Sequence, residues 1–191
     1  MVVANFAPWG QPVVFVMNHW KSRYGARAAA YSARAIEARA LRRELDRRLA
    51  NDPAAAIVVA GDFNDDIDDA IPQACAGFAL DEHAVLADGL LLYNLSASLP
   101  PSKRGSYYYN KENRWNSFDF MCVSRGLLRK GKPMSAWVVK RDSYEIFVLE
   151  KMRMNKGAPL PFRRLYTKQG VLNYTGYSDH FPVRLMLEFR P

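Results

Sequence analysis

Histidine, cysteine and acid are all scarce in this 191-residue chain: it has three histidines, two cysteines, and 19 acidic against 27 basic residues. Cys75 and Cys122 have no CxxC spacing and no histidine cluster nearby, which argues against a zinc site and favours two buried free thiols. A run of about 18 uncharged apolar residues is also lacking, so nothing is expected to span a membrane. The first residues show neither the basic start nor the apolar stretch of a signal peptide, so no targeting segment is visible and the protein is expected to be soluble. With no repeat or low-complexity linker, residues 1–191 are expected to form a single domain. The acid deficit leaves a formal charge of +8, which favours polyanionic partners such as nucleic acid or acidic membrane surfaces through long-range attraction.

What is present suits a packed core: 49% of residues are hydrophobic and 13% aromatic. Pro12 to His19 is a near-continuous apolar segment of strand length, matching a strand buried on both faces. From about Ala26 to Ala50 the chain is rich in Ala, Arg, Glu and Leu, and Ala38, Leu41, Leu45 and Leu49 form one apolar stripe of a helix. Arg27, Arg34, Arg39, Arg42, Arg43, Arg47 and Arg48 outnumber Glu37, Glu44 and Asp46 there; an ordinary solvated face is expected in preference to a phosphate-binding one. Asn51-Asp52-Pro53 ends the helix, because proline cannot continue it.

A second apolar run, Ala54 to Ala60, delivers Gly61-Asp62-Phe63-Asn64-Asp65, so the order strand, helix, strand predicts a βαβ unit. Functional groups of such sheets gather beyond the carboxyl ends of the strands, which is where His19, Asp62 and Asn64 fall. Residues 71–104 read as irregular with one short helix. Ser106 to Tyr109, Phe118 to Val123 and Trp137 to Lys140 read as strands, with Asp119 a carboxylate inside an apolar one. A basic stretch through Lys151, Arg153, Lys156, Arg163, Arg164 and Lys168 reads as a long surface loop, and Phe181 to Phe189 as the strand that closes the sheet.

Three motifs fail on their chemistry. Gly126 to Lys132 has the spacing of a phosphate loop, but Pro133 stands where a hydroxyl must bind magnesium. The run from Asp62 begins like a calcium loop, yet Ile67 replaces the turn glycine and Gln73 the closing acid. Asn94-Leu95-Ser96 and Asn173-Tyr174-Thr175 fit a glycosylation pattern too common to weigh.

Four segments remain: Asn18-His19-Trp20-Lys21-Ser22, Gly61-Asp62-Phe63-Asn64-Asp65, Tyr107-Tyr108-Tyr109 with Trp115-Asn116-Ser117-Phe118-Asp119, and Ser178-Asp179-His180-Phe181-Pro182-Val183. Singly, each has an ordinary reading: a strand-end Asp as turn former, a His as structural residue, Asp119 as a buried ion-pair partner. In this order they resemble the endonuclease/exonuclease/phosphatase superfamily, the magnesium-dependent phosphohydrolases that include deoxyribonuclease I, abasic-site endonucleases, sphingomyelinases and inositol polyphosphate 5-phosphatases.

The resemblance implies an α/β fold, half of a four-layered sandwich of the deoxyribonuclease I-like type, with a mixed sheet and flanking helices. It implies that His19 and His180 contact the scissile phosphate and that Asp119 holds the His180 ring through its second nitrogen. Asp62 would orient or deprotonate the attacking water and help hold the metal, Asn64 would hydrogen-bond a transition-state oxygen, and Asp179 would hold Mg²⁺, with Mn²⁺ as a substitute. A carboxylate beside an imidazole favours the cation, which suits developing negative charge.

The family's earlier motifs, a strand-end asparagine and a metal-binding glutamate, have no counterpart, since the 18 residues before His19 include Asn5 but no acid. The acid that steadies the first histidine is missing too. The expectation is an N-terminally truncated domain: a fragment, or a half-domain completed by a partner chain or self-association, with exposed apolar surface and weak metal affinity. The function implied is phosphodiester hydrolysis on DNA or RNA. The alternatives are a lipid or inositol phosphate phosphoesterase and a non-catalytic nucleic-acid-binding remnant.

Overall fold

The computed structural model describes residues 1–128, 135–154, 157–166, 169–170 and 172–190. Residues 129–133 of the phosphate-loop-like run, Lys156 and Lys168 of the basic stretch, and the side chain of Asn173 lie outside the described residues.

In chain order the elements are β1 (Val2–Phe6), β2 (Val13–His19), α1 (Arg27–Asn51), β3 (Ile57–Asp62), β4 (Phe78–Ala79), α2 (Glu82–Ala87), β5 (Leu92–Asn94), β6 (Tyr107–Tyr109), β7 (Arg114–Asn116), β8 (Asp119–Ser124), β9 (Trp137–Val139), β10 (Glu145–Ile146), β11 (Arg163–Tyr166), β12 (Leu172–Thr175), β13 (Val183–Arg184) and β14 (Leu187–Phe189). Six strands form one mixed sheet in the order β1-β2-β3-β8-β5-β4. β2 and β3 are parallel, joined through α1 as the βαβ pattern predicts, and β8 runs antiparallel to β3.

Side chains alternate across a strand, so register assigns each residue to a face. Val14 and Val16 of β2, Ile57 and Val59 of β3, and Phe120 and Cys122 of β8 belong to one core with the stripe Ala38, Leu41, Leu45 and Leu49, each of those four at 2% exposure or less. Each buried leucine contributes about 1.5–3 kcal/mol of transfer free energy, which holds the helix to this face. The opposite face carries Val13, Phe15, Met17 and His19 in β2, Val58, Ala60 and Asp62 in β3, and Val123, Met121 and Asp119 in β8. Its lower part packs against Trp137, Tyr144, Leu187 and Phe189.

Several expectations change. β2 is not covered on both faces along its whole length: Met17 is 45% exposed and His19 is exposed. Arg34 is no part of a solvated face, because it is buried with its Nε 2.9 Å from Asp65 Oδ2. The segment 71–104 holds α2 but also β4 and β5, which extend the sheet. Between the strands expected at Ser106 to Tyr109 and Phe118 to Val123 lies a further strand, β7, which pairs with β6, and the basic stretch contains β11, paired with β12. Phe181 to Phe189 does not close the main sheet. It is split into β13, paired with β10, and β14, paired with β9. Pro182 has no N–H to donate to a ladder, and the Met186 carbonyl between the two pieces accepts from Lys140 N and Ser143 Oγ instead. Asn94 and Ser96 are fully buried and bonded to each other, so that glycosylation pattern is inaccessible.

Candidate active site

The parallel strands β2 and β3 end at the same edge in His19 and Asp62, which are register partners. Because β8 is antiparallel to β3, its first residue, Asp119, faces Asp62. Three polar side chains thus form one row across three strands, on the face away from α1. Gly61 makes the approach of β2 and β3 feasible: its φ is +150°, and a Cβ there would lie 1.9 Å from the Asn18 carbonyl oxygen.

His180 joins the row from the other end of the chain through an isolated bridge to Tyr107. Its Nδ1 lies 2.6 Å from Asp119 Oδ2, so Nδ1–H donates and Nε2 is left for a ligand. The ring rests against Tyr107 at 4.7 Å between centroids. Ser106, fully buried, donates its hydroxyl to the same Asp119 oxygen at 2.7 Å and accepts from the Asp119 N–H at 3.0 Å. Burial of the His180 ring works against its charged form, but the Asp119 hydrogen bond and the charges of Asp119, Asp62 and Asp179 outweigh it and raise its pKa.

Asp62 is raised as well, first by burial and then by the Asp119 charge, against the lowering effects of His180, the Asn64 N–H and His19. Its Oδ1 accepts from Asn64 N at 2.9 Å, and its Oδ2 lies 3.5 Å from His19 Nε2. His19 therefore has an acidic neighbour from within the site itself. Asn64 is buried at φ +52°, and its side-chain amide donates to the Trp20 carbonyl at 3.0 Å. Arg23 holds this loop in place: Nε donates to the Asn64 carbonyl at 2.7 Å, Nη2 reaches Asp65 at 3.0 Å and also bonds Asp69, and the guanidinium lies over Phe118.

The sequence-predicted residues His19, Asp62, Asp119 and His180 thus converge, and Asn64 supports Asp62 through its backbone. Asp179 is exposed on the neighbouring loop, outside the tight group. Among the described residues, Asp62, Asp119 and His180 form the one group of three metal-capable side chains, each offering a ligand atom within 4.8 Å of the others. Two carboxylates suit a hard divalent ion, which takes one or two acidic ligands and keeps several waters. One Asp119 oxygen is committed to His180 and Ser106, and with Asp62 beside it the donor set fits such an ion. Sequence reasoning placed Tyr107 in a motif without a role and missed Ser106 and Arg23, because these contacts join distant segments.

The family model described as Endonuclease/Exonuclease/phosphatase family matches residues 2–189. Comparison with curated proteins gives no match. Among solved structures, the chain is similar to a mannosyl-6-phosphatase from Bacteroides thetaiotaomicron (TM-score 0.51, 18% identity, 94% of this chain and 52% of that one). It is likewise similar to sphingomyelinase C from Streptomyces griseocarneus (0.50, 17%, 99% and 56%). A third likeness is to beta toxin from Staphylococcus aureus with bound magnesium ions (0.50, 14%, 99% and 57%). The chain spans little more than half the length of each of these structures, and at such identities the likeness shows the shared deoxyribonuclease I-like α/β fold.

Proposed function

Because the chain belongs to the endonuclease/exonuclease/phosphatase family, we propose that the row His19–Asp62–Asp119 with His180 hydrolyses phosphodiesters, and that the substrate is DNA or RNA. The observation that carries the reading is the His180–Asp119 pair at 2.6 Å facing Asp62 on the adjacent strand, an imidazolium opposite a carboxylate whose proton affinity is raised. One group suits binding of a phosphate oxygen, the other acceptance of a proton from water.

In the proposed reaction a water oxygen attacks phosphorus, its proton passes to Asp62, and the bond to the leaving oxygen breaks in line. His180, held by Asp119 and Ser106, presents Nε2–H to the charge growing on the phosphoryl oxygens. Such preorganised donors are commonly the largest catalytic contribution. His19, beside Asp62, offers a second ring to the same phosphate. Mg²⁺, or Mn²⁺ in its place, would be held by Asp62 with help from Asp179, and would supply positive charge to the phosphate and acidify bound water. Such an ion keeps several waters, which would fill the rest of its shell.

The net charge of +8 supports nucleic acid as substrate over lipid or inositol phosphates, which remain the rival reading because the likeness to a sphingomyelinase covers the same residues. The test is cleavage of plasmid DNA and of RNA with Mg²⁺, compared with His180→Ala. Cleavage lost in the variant is expected. Turnover confined to sphingomyelin or phosphoinositides would refute the nuclease, and salt-sensitive DNA binding without turnover would leave a binding remnant.

A further inference from the structure

Beside the catalytic row lies a cavity of about 320 Å³ that the reaction as described does not use. Asp119 and His180 line it together with Met152, Tyr177, Phe181 and Pro182. A site of this size is at the low end for small-molecule pockets, roughly 300–1,000 Å³, with room for one ring system and its sugar.

Tyr177 is 54% exposed, yet its backbone is fixed. Its N–H donates to the Leu160 carbonyl at 3.0 Å, and the preceding Gly176 has φ +73°, with a Cβ there falling 2.1 Å from the Pro161 carbonyl oxygen. The chain therefore accepts a strained, glycine-dependent turn to present an aromatic ring three residues from His180. Lys151 Nζ lies 5.8 Å from the centre of that ring. An exposed ring on a rigid support, sharing a cavity with a soft methionine and the His180 ring, suits stacking of a base of single-stranded nucleic acid. The lysine places positive charge beside the ring, which disfavours a quaternary ammonium ligand by like charge and favours an anionic nucleotide.

We propose that this cavity is a nucleoside subsite, in which the base flanking the scissile phosphate stacks on Tyr177 while the phosphate sits at His180. The proposal deepens, and rests on, the phosphodiesterase reading of the same row.

Metal-free protein is titrated with thymidine 5′-monophosphate, ribose 5-phosphate and phosphocholine, in the natural chain and in Tyr177→Ala and Tyr177→Phe, and binding is followed by NMR shifts. Thymidine 5′-monophosphate is expected to bind at least about fivefold more tightly than ribose 5-phosphate, the scale of one base–aromatic stack. Tyr177→Ala should abolish that preference and Tyr177→Phe keep it. Equal affinity for the two sugars' phosphates, tighter binding of phosphocholine, no saturable binding of the nucleotide, or a preference unchanged in Tyr177→Ala would each overturn the subsite. DNA cleavage without base preference would retain the catalytic reading and sink this one. A base preference without cleavage of any phosphodiester would do the reverse.

Discussion

Replacing Asp119 by asparagine probes the pair on which the site is built. The contact is short, at 2.6 Å, and both side chains are largely buried, at 21% and 16% exposure, so solvent screens it little. A hydrogen bond involving a charged group contributes about 1.5–3 kcal/mol, and a neutral one about 0.5–1.5 kcal/mol. The folded pKa of His180 is raised above its ordinary 6.5. The imidazolium form of the pair therefore contributes its full stability below 6.5, and this is lost as pH rises through the folded value. A double-mutant cycle of Asp119→Asn and His180→Ala, read by urea unfolding, should give a coupling of about 1.5–3 kcal/mol near pH 6, which weakens as pH rises through the folded value and His180 loses its charge. The bond from Ser106 to the same oxygen is altered in both Asp119→Asn species and cancels in the cycle. With three histidines in the chain, the proton NMR titration of each can be followed, and the His180 signal should titrate at lower pH in Asp119→Asn. A coupling below about 0.5 kcal/mol near pH 6, or one that grows with pH, would refute the assignment of His180 as a cation held by Asp119.

Asp62 has the opposite effect on stability at neutral pH. Its raised pKa means that the folded state disfavours its charge, so Asp62→Asn should stabilise the protein by about 0.5–2 kcal/mol at neutral pH, a gain that disappears as pH falls below 3.8, while phosphodiester cleavage is lost. Urea unfolding at neutral and acid pH checks the first part, and a loss of stability at neutral pH would contradict it. Arg34→Ala should cost about 1.5–3 kcal/mol, the loss of one charged hydrogen bond, because it leaves the Asp65 carboxylate, at 5% exposure, held by Arg23 alone. Thermal unfolding measures this, and a change below about 1 kcal/mol would show the pair to be dispensable.

The helix and the two parallel strands were legible because their signals are local. The stripe of α1 repeats at 3.6 residues, and the apolar runs of β2 and β3 end in polar residues where the strands end. β4 and β5, with two and three residues, are too short for any period, and they form because β8 and the turn after residue 71 bring them to the sheet edge. Arg34 read as one more solvated arginine, since its partner Asp65 is 31 positions away and nothing in the helix distinguishes it from Arg39 or Arg43. The final apolar run read as one strand because its break at Met186 is set by hydrogen bonds with Ser143, 43 positions away.

The residues of the site were legible from type and order, while its physical character depends on the sheet face they share. Below His19–Asp62–Asp119 the next row is Met17, Ala60 and Met121, followed by Phe15, Val58 and Val123. β1 continues this surface with Val2 opposite Met17 and Phe6 opposite Val13, and Val2, Phe6 and Met17 are exposed where β9 and β14 do not reach. The row His19–Asp62–Asp119 is thus the polar rim of an apolar face covered only in part. Burial is the leading cause of the raised Asp62 pKa, so whatever covers Met17 and Val2 would also exclude water beside Asp62 and strengthen its proton affinity further. In this fold the covering of the apolar face and the tuning of the acid are one physical variable, because Met17 lies one row below Asp62 on the neighbouring strand.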